Sequence, residues 1–224
     1  MIKPQSLKFA PTKNSGKVSA LFLRPPEARW LFVFGHGAGA GMEHPFMETT
    51  SRSLAEAGIA TFRYQFPYME NKSGRPDPQP ILLATVRAAV ETASGTDGSL
   101  PLLAGGKSMG GRMTSLAASA EDLPRVRGLA FFGFPLHSPG RQGTERAEHL
   151  KKVSVPMLFL QGTRDKLAEL TLLRPVCLAL PRATLKIIEG GDHSFNVLKS
   201  SGKSSTDALH ELIASVVEWT GTLA

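Results

Sequence analysis

Apolar positions along the chain recur with two different periods. Four short runs are apolar at nearly every position: 30–34 (WLFVF), 102–106 (LLAGG), 129–134 (LAFFGF) and 156–161 (PMLFLQ). Runs of this length and composition predict strands buried on both faces. Residues 17–23 (KVSALFL), 59–66 (IATFRYQF) and 183–188 (ATLKII) are more mixed and predict three further strands. Between the strands, apolar residues return every three or four positions. Leu82, Val86, Ala89 and Val90 share one face of a helix predicted over 81–93. From Thr206 onward Leu209, Leu212, Ile213, Val216 and Val217 do the same. Helices are also predicted over 46–57, which Gly58 stops, over 109–120, and over 169–180, which Pro175 interrupts. Residues 1–16 carry little pattern and read as a partly extended lead-in. Residues 71–80 read as a Gly- and Pro-rich loop, and 135–152 as an irregular excursion with one short helix near 145–150. The alternation of strand and helix predicts a three-layer α/β domain around a mostly parallel sheet, with residues 1–224 as one domain.

Composition narrows the function classes. At 224 residues, with 42% hydrophobic and 20% charged residues, the chain is globular and long enough for a sizeable core. Its one cysteine, Cys177, sits in the apolar run 176–180, which excludes a disulfide framework within the chain and favours a buried structural thiol. No charged start with an apolar core and cleavage site opens the sequence, and its apolar runs are too short to span a bilayer. A soluble, cytoplasmic protein with no membrane partner is the expectation. The formal net charge of +7 raises the question of a nucleic-acid partner. The basic residues are nevertheless spread out, with no run longer than Lys151-Lys152, and aromatic residues are only 7%. The expectation is therefore no nucleic acid, and a solvated positive surface that favours anionic substrates. Nothing in the pattern specifies an oligomeric state.

The run 102–106 ends in Gly105-Gly106 and leads through Lys107 to Ser108, then Met109-Gly110-Gly111 and a helical pattern. Gly106, Ser108 and Gly110 satisfy G-x-S-x-G. A serine on a sharp strand-to-helix turn leaves its hydroxyl exposed, and small residues two before and two after allow strand and helix to pack closely. Two phosphate-binding alternatives fail on spacing. A P-loop ending in Gly106-Lys107-Ser108 needs glycine at position 101, where Pro101 stands. In 35–41 (GHGAGAG), Met42 falls where a dinucleotide fingerprint wants Gly or Ala, and Arg63 and Gln65 stand where the ribose-binding acid should be.

In an open parallel sheet, working residues lie beyond the carboxyl ends of the strands. Four stretches do so here: residues 36–39, Ser108, Asp165 and His193. A serine hydroxyl needs a base beside it, and an imidazole needs a carboxylate to hold its tautomer. Ser108 is the expected nucleophile, His193 the base and Asp165 the acid that orients it, in the chain order of an α/β-hydrolase. Asp192 adjoins His193 but its side chain should point elsewhere. His36, Gly37 and Gly39 are expected to line the substrate site. Arg63 and Arg112 are candidates for gripping an anionic substrate, with Lys107 beside them, although bracing loops is the commoner role for such residues. The six histidines show no metal-ligand spacing, so no metal and no cofactor is expected.

The motifs His36-Gly37, residues 106–110, residues 162–165 (GTRD) and Gly191-Asp192-His193 resemble those of the α/β-hydrolase superfamily over nearly the whole chain. More narrowly, GGKSMGGRM and residues 134–140 (FPLHSPG) are similar to the dienelactone-hydrolase-like branch, which includes the testis-expressed-thirty-like proteins and a chromatin acetylation complex subunit. The excursion between Phe134 and Val153 is short, so little or no lid is expected. The resemblance implies an oxyanion hole formed by the backbone N–H groups of Met109 and Ala38. The function expected is a serine hydrolase that cleaves an acyl ester or thioester of a small molecule through an acyl-enzyme. Some members of that branch are not characterised as enzymes, so the alternative is a catalytically silent binding or scaffold protein on the same fold.

Overall fold

The structure, a computed structural model, describes residues 2–12, 15–198, 200 and 202–223. Its strands are β1 (Gln5–Phe9), β2 (Val18–Leu23), β3 (Trp30–Gly35), β4 (Ile59–Tyr64), β5 (Leu102–Lys107), β6 (Val126–Phe132), β7 (Met157–Gly162) and β8 (Ala183–Ile188). They form one sheet in the order β1-β2-β4-β3-β5-β6-β7-β8. The two β2 pairings, with β1 and with β4, are antiparallel; every other pairing is parallel. The helices are α1 (Pro45–Glu56), α2 (Pro67–Glu70), α3 (Gln79–Thr96), α4 (Met109–Ala120), α5 (Leu170–Leu178) and α6 (Ser205–Thr220), with a 3-10 helix over Glu145–Lys152.

The period-two alternation within each central strand divides the core. Val33, Ala104, Leu129, Phe131 and Phe159 point to the face covered by α3, α4 and α5. Phe34, Leu103, Ala130, Phe132 and Leu160 point to the face covered by α1 and α6. Both faces are closed, so the central strands tolerate apolar residues at every position. Strand order reverses between β3 and β5, since β3 leads on to β4 on one side and β5 to β6 on the other. That reversal opens a crevice beyond the carboxyl ends of β3 and β5. Residues 36–39 and Ser108 emerge there.

Three expectations need correction. The lead-in contains β1, whose polar residues form a strand only because β2 offers an edge: Leu7 pairs with Ala20 and Phe9 with Val18. Met1, Lys13 and Asn14 of that lead-in lie outside the described residues. Strand β4 stops at Tyr64, and Pro67 then starts the one-turn α2, because proline fits the first helical position. The short helix of the excursion is a 3-10 helix, held by Ala147 and Leu150 in the core rather than by its own propensity. Within residues 133–156, where a lid could be inserted, the element present is that helix, packed on α4. No described helix is long and apolar enough to cross a membrane. Cys177 is buried on α5, and burial pushes its thiol up to about 12, which leaves it inert at neutral pH.

Candidate active site

Ser108 sits between β5 and α4 at φ 49°, ψ −112°, a left-handed conformation that L side chains rarely adopt. Three close backbone approaches hold it there. A Cβ on Gly106 would fall 2.3 Å from the Gly35 carbonyl oxygen, and one on Gly110 would fall 2.3 Å from the same atom. The Ser108 N–H donates to the Phe132 carbonyl at 3.1 Å. The turn is thus clamped between the ends of β3 and β6, and its hydroxyl is left partly exposed at the crevice.

His193 arrives on the loop after β8. Its Nε2 lies 2.9 Å from Ser108 Oγ, and its Nδ1 lies 2.7 Å from Asp165 Oδ2. Asp165, on the loop after β7, is 3% exposed and accepts two more bonds, from Gln161 Nε2 at 2.5 Å and from the Leu167 N–H at 2.8 Å. A carboxylate only accepts, so the His193 proton belongs on Nδ1 and the Nε2 lone pair faces the hydroxyl. Asp192 is occupied elsewhere: its Oδ1 accepts from the Ser194 and Asn196 N–H groups and shapes the loop that carries the ring. Gly162 lets that loop cross β7, since a Cβ there would fall 2.2 Å from the Gly191 oxygen.

Gly37 packs against Ser108, with its Cβ position 3.8 Å from Ser108 Cβ. Beyond it Ala38 and Gly39 are exposed. The Gly39 N–H donates to Tyr68 Oη at 3.0 Å, which fixes the loop and removes that donor from the site. Among the described residues the N–H groups of Ala38 and Met109 donate to no protein group. Met109 is the first residue of α4, where the helix leaves its N–H groups unpaired.

Two residues expected at the substrate are withdrawn into the core. His36 is fully buried, with Nδ1 2.7 Å from the Gly37 carbonyl and Nε2 accepting from the Phe66 N–H at 3.2 Å. It wedges the loop open from behind and does not line the crevice. Arg63 is 2% exposed, and its Nη1 donates to the Met42 carbonyl at 3.0 Å, so it braces the far end of the same loop. The reason is register: Arg63 pairs with Phe34 inside the sheet, one layer below the strand ends.

Burial lowers His36 to about 4 from its ordinary value of 6.5. Its folded-state affinity for protons is depressed, so its contribution to stability is intact above about pH 6.5 and is lost as the pH falls toward 4. That shift corresponds to about 3 kcal/mol. The melting temperature should drop over this window, and the drop should shrink in His36→Gln, measured by thermal unfolding at matched ionic strength. An equal drop in the variant assigns the acid sensitivity to other groups.

Arg112 stays in play. It is half-buried on α4, one turn beyond Ser108, with Arg146 and His149 nearby. Its Nε is buried without a partner, and burial followed by the nearby Arg146 lowers its pKa. Arg146 is engaged with the His137 carbonyl at 2.9 Å and Ser138 Oγ at 2.6 Å, which ties down the excursion after β6. A second Ser–His contact, Ser115 Oγ to His149 Nε2 at 2.7 Å, is structural: Ser115 is fully buried and its hydroxyl donates to the Arg112 carbonyl.

Sequence reasoning missed three contributors. Gln161 supports Asp165, and its polarity inside the apolar run 156–161 was the available signal. Tyr68 holds Gly39 from α2, an element the pattern did not reveal. Lys107, which the sequence places beside the anion-binding candidates, has a buried side chain that turns toward the His193 loop. Among the described residues no group of three or more His, Cys, Asp or Glu side chains is placed to hold a metal ion.

Fold and site together define a serine elbow at the switch point of a doubly wound sheet, with an imidazole and a carboxylate supplied by the last two strand ends. The chain belongs to the alpha/beta hydrolase domain family, whose model matches residues 28–221. Among solved structures it is similar to dienelactone hydrolase from Anabaena variabilis ATCC 29413, at 20% identity over 97% of each chain with a TM-score of 0.75. It is also similar to a lidless α/β serine hydrolase from Xanthomonas campestris, at 21% identity over 97% of this chain and 95% of that one, TM-score 0.73. Est1E from Butyrivibrio proteoclasticus matches at 17% identity over 97% and 98% of the two chains, TM-score 0.73. These likenesses extend the fold over nearly the full length.

Proposed function

We propose that the protein is a serine hydrolase that cleaves an acyl ester or thioester of a small molecule through an acyl-enzyme. The hydrogen-bonded chain from Ser108 Oγ through His193 to buried Asp165 carries the reading. Ser108 Oγ attacks the acyl carbon while its proton passes to His193 Nε2. The carbonyl oxygen becomes an oxyanion and is met by the free N–H groups of Met109 and Ala38, each worth about 2.7–4 kcal/mol in comparable sites. The imidazolium, steadied by Asp165, returns the proton to the departing alcohol or thiol. Water then enters, gives a proton to His193 and releases the acid, and the proton returns to Ser108. A fluorophosphonate probe tests the reading, because attack at phosphorus uses the same base and the same donors. Folded protein should label at neutral pH, and Ser108→Ala should not label. Folded protein that stays unlabelled with Ser108 accessible would falsify the proposal.

The reading extends to substrate preference through Arg112, whose Nε has no partner and whose guanidinium suits a bidentate grip on a carboxylate. Arg112→Ala should lower kcat/KM for a carboxylate-bearing ester by about 10-fold or more relative to its neutral counterpart, the loss of roughly 1.5–3 kcal/mol expected of one charged hydrogen bond. Equal losses on both esters remove Arg112 from the substrate site. Arg63→Ala should show no such discrimination, because Arg63 is buried below the crevice.

A further inference from the structure

Lys107 is the residue immediately before the nucleophile, and it is 8% exposed. Its Nζ donates to the main-chain carbonyl of His193 at 2.6 Å. The ammonium also lies 5.9 Å from the centroid of Phe46 on α1 and 5.7 Å from that of Phe195 on the His193 loop, and those two rings stack on each other. Gly133, at φ 69°, makes the space: a Cβ there would fall 3.2 Å from Lys107 Nζ and 3.4 Å from His193 Nδ1. No carboxylate pairs with the ammonium among the described residues. A lysine buried this way is costly unless its one polar contact is used.

Two adjacent residues of the elbow therefore grip His193 at both ends. Lys107 holds its carbonyl and Ser108 holds its ring. We infer that Lys107 is a positioning residue, whose ammonium pins the His193 loop to the nucleophile's own strand and so sets the Ser108–His193 distance through the reaction. The inference rests on the reading of Ser108 and His193 as nucleophile and base. The main-chain bond is charge-assisted, and the aromatic faces favour a cation, so the hold is strongest while Lys107 is protonated. The ionisable groups facing it are Asp165 on the loop after β7 and Asp192 and His193 on the loop after β8. Among the described residues α1, the turn after β6 and the loop after β3 also adjoin it, and they present Phe46, Gly133 and Gly37. Burial lowers the Lys107 ammonium to about 8, against the opposing pull of Asp165 and Asp192. The hold should accordingly weaken in mild alkali, within the range where the enzyme can be assayed.

Three proteins test this: wild type, Lys107→Met and Lys107→Arg. Methionine keeps the length, suits the two rings and removes the charge. Turnover of a short acyl ester should break downward near pH 8 in wild type. In Lys107→Met, kcat should fall on the order of 10- to 100-fold with KM little changed, and the break should vanish, since small misplacements of a catalytic group cost about that much. Lys107→Arg should restore most of kcat and move the break out of range. The proton on His193 Nδ1, followed by NMR, gives a reading independent of turnover: its downfield signal should change through about pH 8 in wild type and be broadened at all pH values in Lys107→Met. A Lys107→Met protein with wild-type kcat and an unchanged break overturns the inference while leaving the hydrolase reading intact. Wild type that fails to label with a fluorophosphonate, but whose His193 signal follows Lys107, retains the positioning role and overturns the hydrolase reading instead. Should Lys107→Met fail to fold, Lys107→Arg decides: an alkaline break that stays in place overturns the inference.

Discussion

Ser108→Ala is expected to lower kcat for an acyl ester by about 10⁵- to 10⁶-fold, with the melting temperature close to that of wild type. The magnitude follows from the proposed roles: a nucleophile, its base and its orienting acid act as a unit, so that loss of the nucleophile forfeits nearly everything the unit supplies. Residual activity should remain above the uncatalysed rate, because the proposed oxyanion donors, the N–H groups of Met109 and Ala38, survive the change. The fold should tolerate it. Ser108 owes its left-handed backbone to Gly35, Gly106 and Gly110 rather than to its hydroxyl, and the hydroxyl's one hydrogen-bond partner among the described residues is the partly buried ring of His193. Loss of such a bond costs about 1 kcal/mol. His193→Ala should lose nearly as much activity, and the double variant little more than either single one. Additive losses would mean that the two side chains act separately. Undiminished hydrolysis in Ser108→Ala would assign the activity to another nucleophile.

Gly110→Ala should be among the most damaging single changes in the chain, and its primary effect is on folding. An added Cβ would stand 2.3 Å from the Gly35 carbonyl oxygen, 2.4 Å from its carbonyl carbon and 2.8 Å from the His36 oxygen. All three are main-chain atoms at the end of β3, so no side chain can rotate away to make room. Relief requires moving α4 off the sheet, or displacing the loop that carries Gly37 and Ala38. The first opens the core beneath Met113 and Ala117, and the second takes Ala38 away from the nucleophile. A loss of about 4 kcal/mol or more is expected, a large fraction of the stability of an ordinary domain. Gly74→Ala is the control, since nothing lies within 4 Å of its Cβ position. Chemical denaturation of the two variants should separate them clearly. Equal stabilities would show that α4 can shift without cost, contrary to the packing described.

Period and order were readable from the chain itself. Wholly apolar runs such as 30–34 mark strands covered on both sides, and helical spacing marks the layers that cover them, because burial of one face is a local property of the sequence. The strand-end positions of Ser108, Asp165 and His193 followed from that pattern; in the structure His193 lies 2.9 Å from Ser108 Oγ and 2.7 Å from Asp165 Oδ2. The helix over Met109–Ala120 began where the glycines and the serine said it should. Local pattern does not say what an edge or a neighbouring loop will supply. Strand β1 exists because β2 had an unpaired edge, and Arg63 lies in the core because the register with β3 puts it a layer below the crevice. The same holds for His36, Lys107 and Gln161, all polar residues beside the site. Whether such a residue faces substrate or supports the one that does depends on partners distant in sequence: the Phe66 N–H for His36, the His193 carbonyl for Lys107 and, among these, only the nearer Asp165 for Gln161. The sequence by itself determined which chemistry-bearing groups lie at the carboxyl edge of the sheet. Only the tertiary structure decided which of them turn outward, because that choice is made by hydrogen-bond partners and free volume that exist only once the strands are side by side.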